Sequence, residues 1–295
     1  MLIVPRDASV LRLGSSTFSP ATFAVMAIVN RTPDSFYDRG ATFEFNQAWN
    51  RVEQVIDEGA DIIDIGGVKA GDGPPVSEAE EIDRTAGIVA EIRSRHPGIV
   101  ISVDTYRAGV ADVLCEAGAH LVNDAWAAAD PGLAVVAARW GAGLVCSHTG
   151  GHAPRTDPRG VTYDDVMADV VAGTTELAQR AVDAGVRPDA VLVDPTHDFG
   201  KNTYHSLEVT RRLDELVDTG WPVLVSLSRK DFVGETLDLP VSERLHGTLA
   251  ATAVAAWQGA RVFRVHDVAA TRQVLDMVAA INGDLPPRAP QRGLG

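Results

Sequence analysis

Residues 99–124 read IVISVDTYRAGVADVLCEAGAHLVND. An apolar, β-branched run, IVISVD, ends in an acid at Asp104. A stretch with helical spacing follows and Gly118 closes it; a second apolar run, HLVND, then ends in Asn123 and Asp124. Strand, helix, glycine, strand is the repeating unit of a parallel sheet. Strands running the same way need a crossover connection, and helices on the sheet leave them buried on both sides. Glycine suits the helix end because the residue there commonly adopts a left-handed backbone.

The unit recurs along the chain. Strand candidates fall at 23–30, 61–66, 99–104, 120–124, 143–148, 190–194, 222–228 and 261–267. Helical patterns such as NQAWNRVEQVIDEG and SEAEEIDRTAGIVAEIRSR lie between them, the second opened by Ser77 and Glu80 at capping-box spacing. Closing glycines recur at Gly59, Gly118, Gly141, Gly185, Gly220 and Gly259. Eight such units in 295 residues predict a TIM (β/α)8 barrel. A doubly wound open sheet is the alternative, but no G-x-G-x-x-G or P-loop string marks a switch point. Residues 10–20 predict a short N-terminal β-hairpin that plugs the barrel bottom. Residues 1–285 are expected to form a single domain, with 286–295 a flexible proline- and glycine-rich tail.

Bulk composition narrows the partners. The chain is 45% apolar and 22% charged, an ordinary globular balance. A net charge of −14 argues against nucleic acid and against an anionic membrane surface. The N-terminus has no leader-like pattern and no apolar run reaches spanning length. Cys115 and Cys146 fall in a predicted helix and a predicted strand, which reads as two buried thiols in a reducing, cytoplasmic setting.

Each apolar run turns polar at its C-terminal end, at Asn30, Asp64, Asp104, Asn123, Asp124, His148, Asp194, Ser228 and His266. In a TIM barrel these ends share one face, and that face carries the site. Arg229 and Lys230 after the seventh strand and Arg264 on the eighth fall in the anion-binding quarter of the fold. Helix capping is the better reading for Asp124 and Asp267, and Arg229 fits a solvated surface charge equally well. The stretch AVLVDPTHDFGKN (190–202) crowds Asp194, His197 and Asp198 at the end of the sixth strand. That set could ligate a divalent metal, but irregular spacing and the lack of a second nearby histidine favour a solvent-facing His197 that merely packs.

MAIVNRTPDSFYDRG (26–40) resembles the first signature of dihydropteroate synthases. DIIDIGG, SVDTYRAGVA, NDAW, DFGK, LSRKDFVG and RVHDV follow in that family's order, from about Met26 to Val268. The resemblance implies a homodimeric TIM barrel that acts as a transferase in folate biosynthesis. Such enzymes join 6-hydroxymethyl-dihydropterin pyrophosphate to p-aminobenzoate and release pyrophosphate with Mg²⁺. By that likeness Asp104, Asn123, Asp194 and Lys230 bind the pterin, and Asn30 binds the Mg²⁺. Arg264 and His266 meet the leaving pyrophosphate and, with Lys230, form the catalytic set. Phe199 and Ser228 lie beside p-aminobenzoate, and Asp34, Ser35 and Phe36 belong to the first mobile loop.

The departures carry as much weight. Where the family reads Gly-Gly-Glu-Ser-Thr-Arg-Pro-Gly after the second strand, this chain runs from Gly66 to Gly73 with Ala70 and Gly71 in place of the Thr-Arg pair. Loss of one preorganised contact to a departing charge can cost about a hundred- to a thousandfold in rate. Thr196, His197 and Asp198 replace Gly, an apolar residue and Gly, and are expected to take up ring volume in the pterin pocket. Ser226 replaces a glycine and Arg31 a small apolar residue. These departures predict a dihydropteroate-synthase-like protein with lost or very weak turnover. It would retain partial binding of a pterin-like or p-aminobenzoate-like ligand, or serve an unknown protein partner. One alternative is an active synthase in which Lys69 and Arg31 restore the charge. Another is an enzyme for a different anionic substrate, contacted by Thr196, His197 and Asp198.

Overall fold

The computed structural model describes residues 10–32, 42–69, 71, 73–156 and 160–292. Asp34, Ser35, Phe36, Ala70 and Asp72 therefore lie outside the described residues. The first elements are a hairpin, β1 (Leu11–Leu13) antiparallel to β2 (Ser16–Phe18). The barrel strands follow: β3 (Ala24–Asn30), β4 (Ile62–Gly66), β5 (Val100–Asp104), β6 (Leu121–Asp124), β7 (Gly143–Ser147), β8 (Val191–Asp194), β9 (Leu224–Val225) and β10 (Val262–Val265). They pair in parallel in the order β8-β7-β6-β5-β4-β3-β10-β9, and a bridge between Val193 and Val223 joins the two ends. The expected TIM barrel is the observed one.

Helices alternate with these strands. They are α1 (Phe45–Asp57), α2 (Glu78–Arg95), α3 (Ala108–Glu116), α4 (Gly132–Trp140) and α5 (Val166–Asp183). Then come α6 (Thr203–Arg211), α7 (Leu213–Val217), α8 (Asp231–Leu237), α9 (Leu245–Trp257) and α10 (Val268–Asn282). All six predicted closing glycines have positive φ, from 64° at Gly141 to 117° at Gly118. Ser77 caps α2 by accepting the Glu80 N–H, while the Glu80 carboxylate pairs with Arg84.

The predicted strand at 222–228 is cut short. After Val225 the chain turns: Leu227 O accepts the Lys230 N–H, Arg229 takes a left-handed φ of 56°, and Thr248 Oγ accepts the Arg229 N–H. Those bonds replace ladder bonds, so β9 has two residues.

Side chains alternate along each strand, so every second residue faces the barrel axis. The lower interior is apolar: Ala24, Met26, Ile62, Val100, Leu121, Val145, Leu192, Leu224 and Val262 pack with Leu11, Leu13 and Phe18 of the hairpin. The hairpin is thus the plug of the barrel bottom. Gly143 shows how closely it fits, because a Cβ there would lie 2.6 Å from Leu13 Cδ2 and 2.5 Å from Ala190 O. Outward-facing strand residues join the helices in a second, larger core. The upper interior is polar, and the parallel register aligns Asp64 with Ser102, Asp104 with Asn123, and Ser147 with Asp194.

Leu13 is fully buried against this interior. Leu13→Ala is expected to lower the unfolding free energy by about 2–5 kcal/mol, the usual range for a large apolar truncation, read from the denaturant midpoint. A change within about 0.5 kcal/mol, the surface range, would detach the hairpin from the core.

Candidate functional site

Arg264 leaves β10 near the middle of the mouth and reaches two carboxylates. Its Nε donates to Asp64 Oδ2 and its Nη2 to Asp104 Oδ2, both at 2.6 Å. Asp64 is fully buried and also accepts from Ser102 Oγ at 2.6 Å and Asn123 Nδ2 at 3.2 Å. Burial works against the Arg264 charge, yet Asp64 and Asp104 hold it protonated above its ordinary range. Burial likewise pushes Asp104 up, with Asp64 adding to the rise and Arg264 opposing it. A Cβ on Gly66 would lie 3.0 Å from Asn30 Oδ1 and 3.9 Å from Asp104 Oδ2, so glycine lets those groups sit side by side.

A second cluster adjoins it. Asp194 is buried and its Oδ1 accepts the Thr196 N–H at 2.7 Å. Lys230 Nζ donates to His197 O and stands 4.7 Å from the centre of the Phe199 ring, a cation–π contact. Burial lowers Lys230, while Asp198 and then Asp194 raise it. Ser228 and His266 form a third pair. Ser228 Oγ accepts the His266 backbone N–H at 3.2 Å and lies 2.9 Å from Nδ1. Burial, then Arg264, drives His266 down to about 3, so its ring is neutral at ordinary pH. Arg229 is a corrected expectation: it is buried, forked onto Asp267 at 2.9 and 3.1 Å, and serves the packing of this corner.

The stretch 196–198 departs most from expectation. Thr196 and Asp198 keep left-handed backbones, with φ of 53° and 69°, at the two positions where the resembling family uses glycine. Their side chains are held by hydrogen bonds to neighbouring elements. Thr196 Oγ donates to Asp194 O and accepts the His148 N–H. Asp198 Oδ2 accepts the N–H groups of Asp231 and Phe232 at 2.7 and 3.3 Å, capping α8, and Oδ1 accepts from Ser206 Oγ at 3.1 Å. His197 is fully buried, not solvent-facing; its Nε2 lies 3.0 Å from Thr210 Oγ and its ring stacks on Phe232 at 5.5 Å. His197 and Asp198 therefore brace α6 and α8, and Asp198 also stands close enough to Lys230 to be the main charge raising it. The same bonds count against a contact role for them with an anionic substrate. Among the described residues no cluster of three or more His, Cys, Asp or Glu is arranged to hold a metal.

Two sets of contacts were not legible in the sequence, those of Lys201 and those of the arginines on the loop after β4. Lys201 is buried, and its Nζ donates to His148 Nδ1 at 2.8 Å and to the carbonyls of His148, Phe199 and Thr196 at 3.0, 3.2 and 3.4 Å. His148 Nε2 in turn meets Asp169 Oδ1 at 2.6 Å. The string DFGK marked Lys201, but its inward fold needed the backbone. The other set lies on the loop after β4, whose sequence departure was visible but whose contacts were not. Its carbonyls accept guanidinium N–H groups: Gly67 from Arg84 and Val76 from Arg107, each at 2.8 Å, and Gly71 and Pro74 from Arg155 at 3.2 and 3.0 Å. Asn30 lines a cavity of about 450 Å³ with Thr42, Arg51, Glu58, His266 and the start of α10.

A closed parallel barrel with an ionic cluster at the C-terminal ends of its strands defines a TIM-barrel protein whose polar groups gather where this fold carries its sites. The family model for pterin binding enzymes matches residues 26–266. The chain is 59% identical over 274 residues to the inactive dihydropteroate synthase 2 of Mycobacterium leprae, covering 92% of this chain and 94% of that one. It superposes on the Yersinia pestis dihydropteroate synthase, solved as a sulfonamide drug complex, with a TM-score of 0.88 and 35% identity, over 94% of this chain and all of that one. A Coxiella burnetii dihydropteroate synthase in complex with pteroic acid gives 0.84 and 32%, over 94% and 100%. The chain belongs to the pterin-binding enzyme family, on its dihydropteroate synthase branch.

Burial lowers Lys201 to about 7 from an ordinary value of 10.5. Between those values the unfolded chain binds the proton more often than the folded one, so stability rises with pH from about 7 to about 10. Lys201→Met is expected to remove that rise, measured as the wild-type-minus-variant difference in unfolding free energy across the window. Parallel curves would mean the ammonium is as well solvated folded as unfolded.

Proposed function

We propose that this protein binds a pterin-like ligand at the floor built on Arg264 and has little or no dihydropteroate synthase turnover. The supporting observation is a contrast within one mouth. Asp104, Asn123, Asp194, Lys230 and Arg264 converge, whereas the loop after β4 lacks the Thr-Arg pair and carries Gly71 where the arginine would stand. A pterin edge alternates N–H donors with acceptors. Asp104 and Asp194 accept from it, and Asn123 and Lys230 donate to it. Arg264 and His266 face the diphosphate, and Phe199 and Ser228 the aryl ring. The name of the Mycobacterium leprae relative points the same way.

Asn30 offers one neutral oxygen to a metal, which suits Mg²⁺ only as an ion that arrives with the diphosphate and keeps other ligands from it and from water. Lewis-acid help to the departing phosphate is the chemistry that ion would supply. In such a complex Asn30 would hold the ion and Arg264 would balance the diphosphate charge.

The homodimer is part of the proposal. Val254 and Trp257 on α9 and Met277 and Ile281 on α10 are exposed apolar side chains on two helices that pack together. Trp257→Asp should convert a dimer to a monomer by light scattering; an unchanged mass would place the interface elsewhere. A cytoplasmic location fits the two buried free thiols, and no helix among the described residues is long and apolar enough to cross a membrane.

The decisive assay is pyrophosphate release with saturating 6-hydroxymethyl-dihydropterin pyrophosphate, Mg²⁺ and p-aminobenzoate. Release at or near the uncatalysed rate is expected. Turnover of about 1–1,000 per second, the common range for enzymes, would make the protein a working synthase.

A further inference from the structure

Two loops that stand outside the motifs shared with the synthases are tied to each other. Arg155, on the loop after β7, donates from Nε to Gly71 O at 3.2 Å and from Nη1 to Pro74 O at 3.0 Å, both on the loop after β4. In the barrel β5 and β6 lie between β4 and β7, so this contact spans the strand ends that carry Asp104 and Asn123. Arg84 and Arg107 hold the loop after β4 near its ends, at Gly67 and Val76, and Arg155 takes its middle.

The turn that presents Arg155 suits another residue. The Thr156 N–H donates to Ala153 O at 3.3 Å, Pro154 stands second, and Arg155 stands third with a left-handed φ of 63°. A proline second and a positive φ third is a pattern that glycine ordinarily completes, because a Cβ is disfavoured there. Such strain persists where the surroundings hold it, and the two bonds to the loop after β4 do so. The base of the loop is fixed as well. The Tyr163 hydroxyl donates to Gly200 O at 2.6 Å, and a Cβ on Gly200 would lie 2.0 Å from Thr149 O, so the chain after β8 packs directly on it. The loop is anchored at its base and reaches out at Arg155.

We propose that Arg155 is a strap across the pterin floor, and that a ligand enters and leaves only when its two bonds let go. This rests on the pterin-binding reading and adds to it a control of exchange. Both acceptors are neutral carbonyls and the guanidinium is half-buried, so release returns the cation to water and strands no buried charge. A strap of this kind sets how fast the site fills and empties. It leaves the contacts of Arg264, Asp104 and Asn123 with the ligand as they are.

Stopped-flow fluorescence of 6-hydroxymethylpterin tests this, because it gives the association and dissociation rates separately. Arg155→Gly removes the guanidinium and puts the favoured residue at the positive φ, so the turn itself is kept. It should raise both rates about tenfold, the size of two partly exposed hydrogen bonds released, and leave the dissociation constant within about twofold. Arg155→Lys keeps the charge without the fork and should give intermediate rates. Faster dissociation with unchanged association would make Arg155 a ligand contact and overturn the strap. Unchanged rates with the ligand still bound would overturn it as well and leave the pterin reading standing. Failure of the ligand to bind any of the three proteins overturns the pterin reading and the strap together.

Discussion

One guanidinium organises the mouth of this barrel. Arg264 spans from β10 to Asp64 on β4 and Asp104 on β5, and Asp64 passes the connection to Ser102 and Asn123. Charges at that depth are tolerable only when paired and hydrogen-bonded. Removing one partner from such a cluster commonly costs about 3–5 kcal/mol, because the other is left buried and bare. The network therefore fixes how the ends of several strands sit relative to one another. It also keeps the donors and acceptors of the floor in place before any ligand arrives. A ligand must exchange partners with this network, which favours one whose own edge alternates donors and acceptors.

Around that floor the chain has been rebuilt without loss of backbone course. Thr196 and Asp198 hold left-handed conformations that a glycine would adopt more cheaply. The side chains return part of that cost by capping and bracing: Asp198 closes the N-terminus of α8 and Thr196 ties β8 to β7. Lys230, immediately before α8, is thereby fixed over Phe199 and against the carbonyl of His197. The loop after β4 is fastened through its carbonyls by Arg84, Arg107 and Arg155, and Asp198 ties the turn after β8 to the start of α8. Binding survives such fastening better than catalysis does, since catalysis needs contacts made only as charge departs.

Periodicity and punctuation made the barrel legible. The eight apolar runs, the closing glycines and the hairpin each express local chemistry, and each is where the spacing put it, apart from the shortened β9. The polar strand ends were equally visible, because nothing apolar belongs at a barrel mouth that binds a polar ligand. Direction was hidden. Whether His197 and Asp198 point into the pocket depends on two left-handed φ angles that no composition rule assigns to threonine or aspartate. Arg229 stayed open between an anion contact and a surface charge because its partner Asp267 lies 38 residues away in sequence, at the end of the neighbouring strand β10.

The central claim is that an intact pterin floor persists beneath a loop that no longer supports turnover. Calorimetric titration of 6-hydroxymethylpterin into the wild type and into Asp194→Ala tests it directly. Saturable one-site binding in the wild type, lost in Asp194→Ala while the melting transition stays cooperative, is the predicted result. No heat of binding in the wild type, or equal binding in both proteins, would contradict it and leave a barrel whose ionic floor serves stability alone.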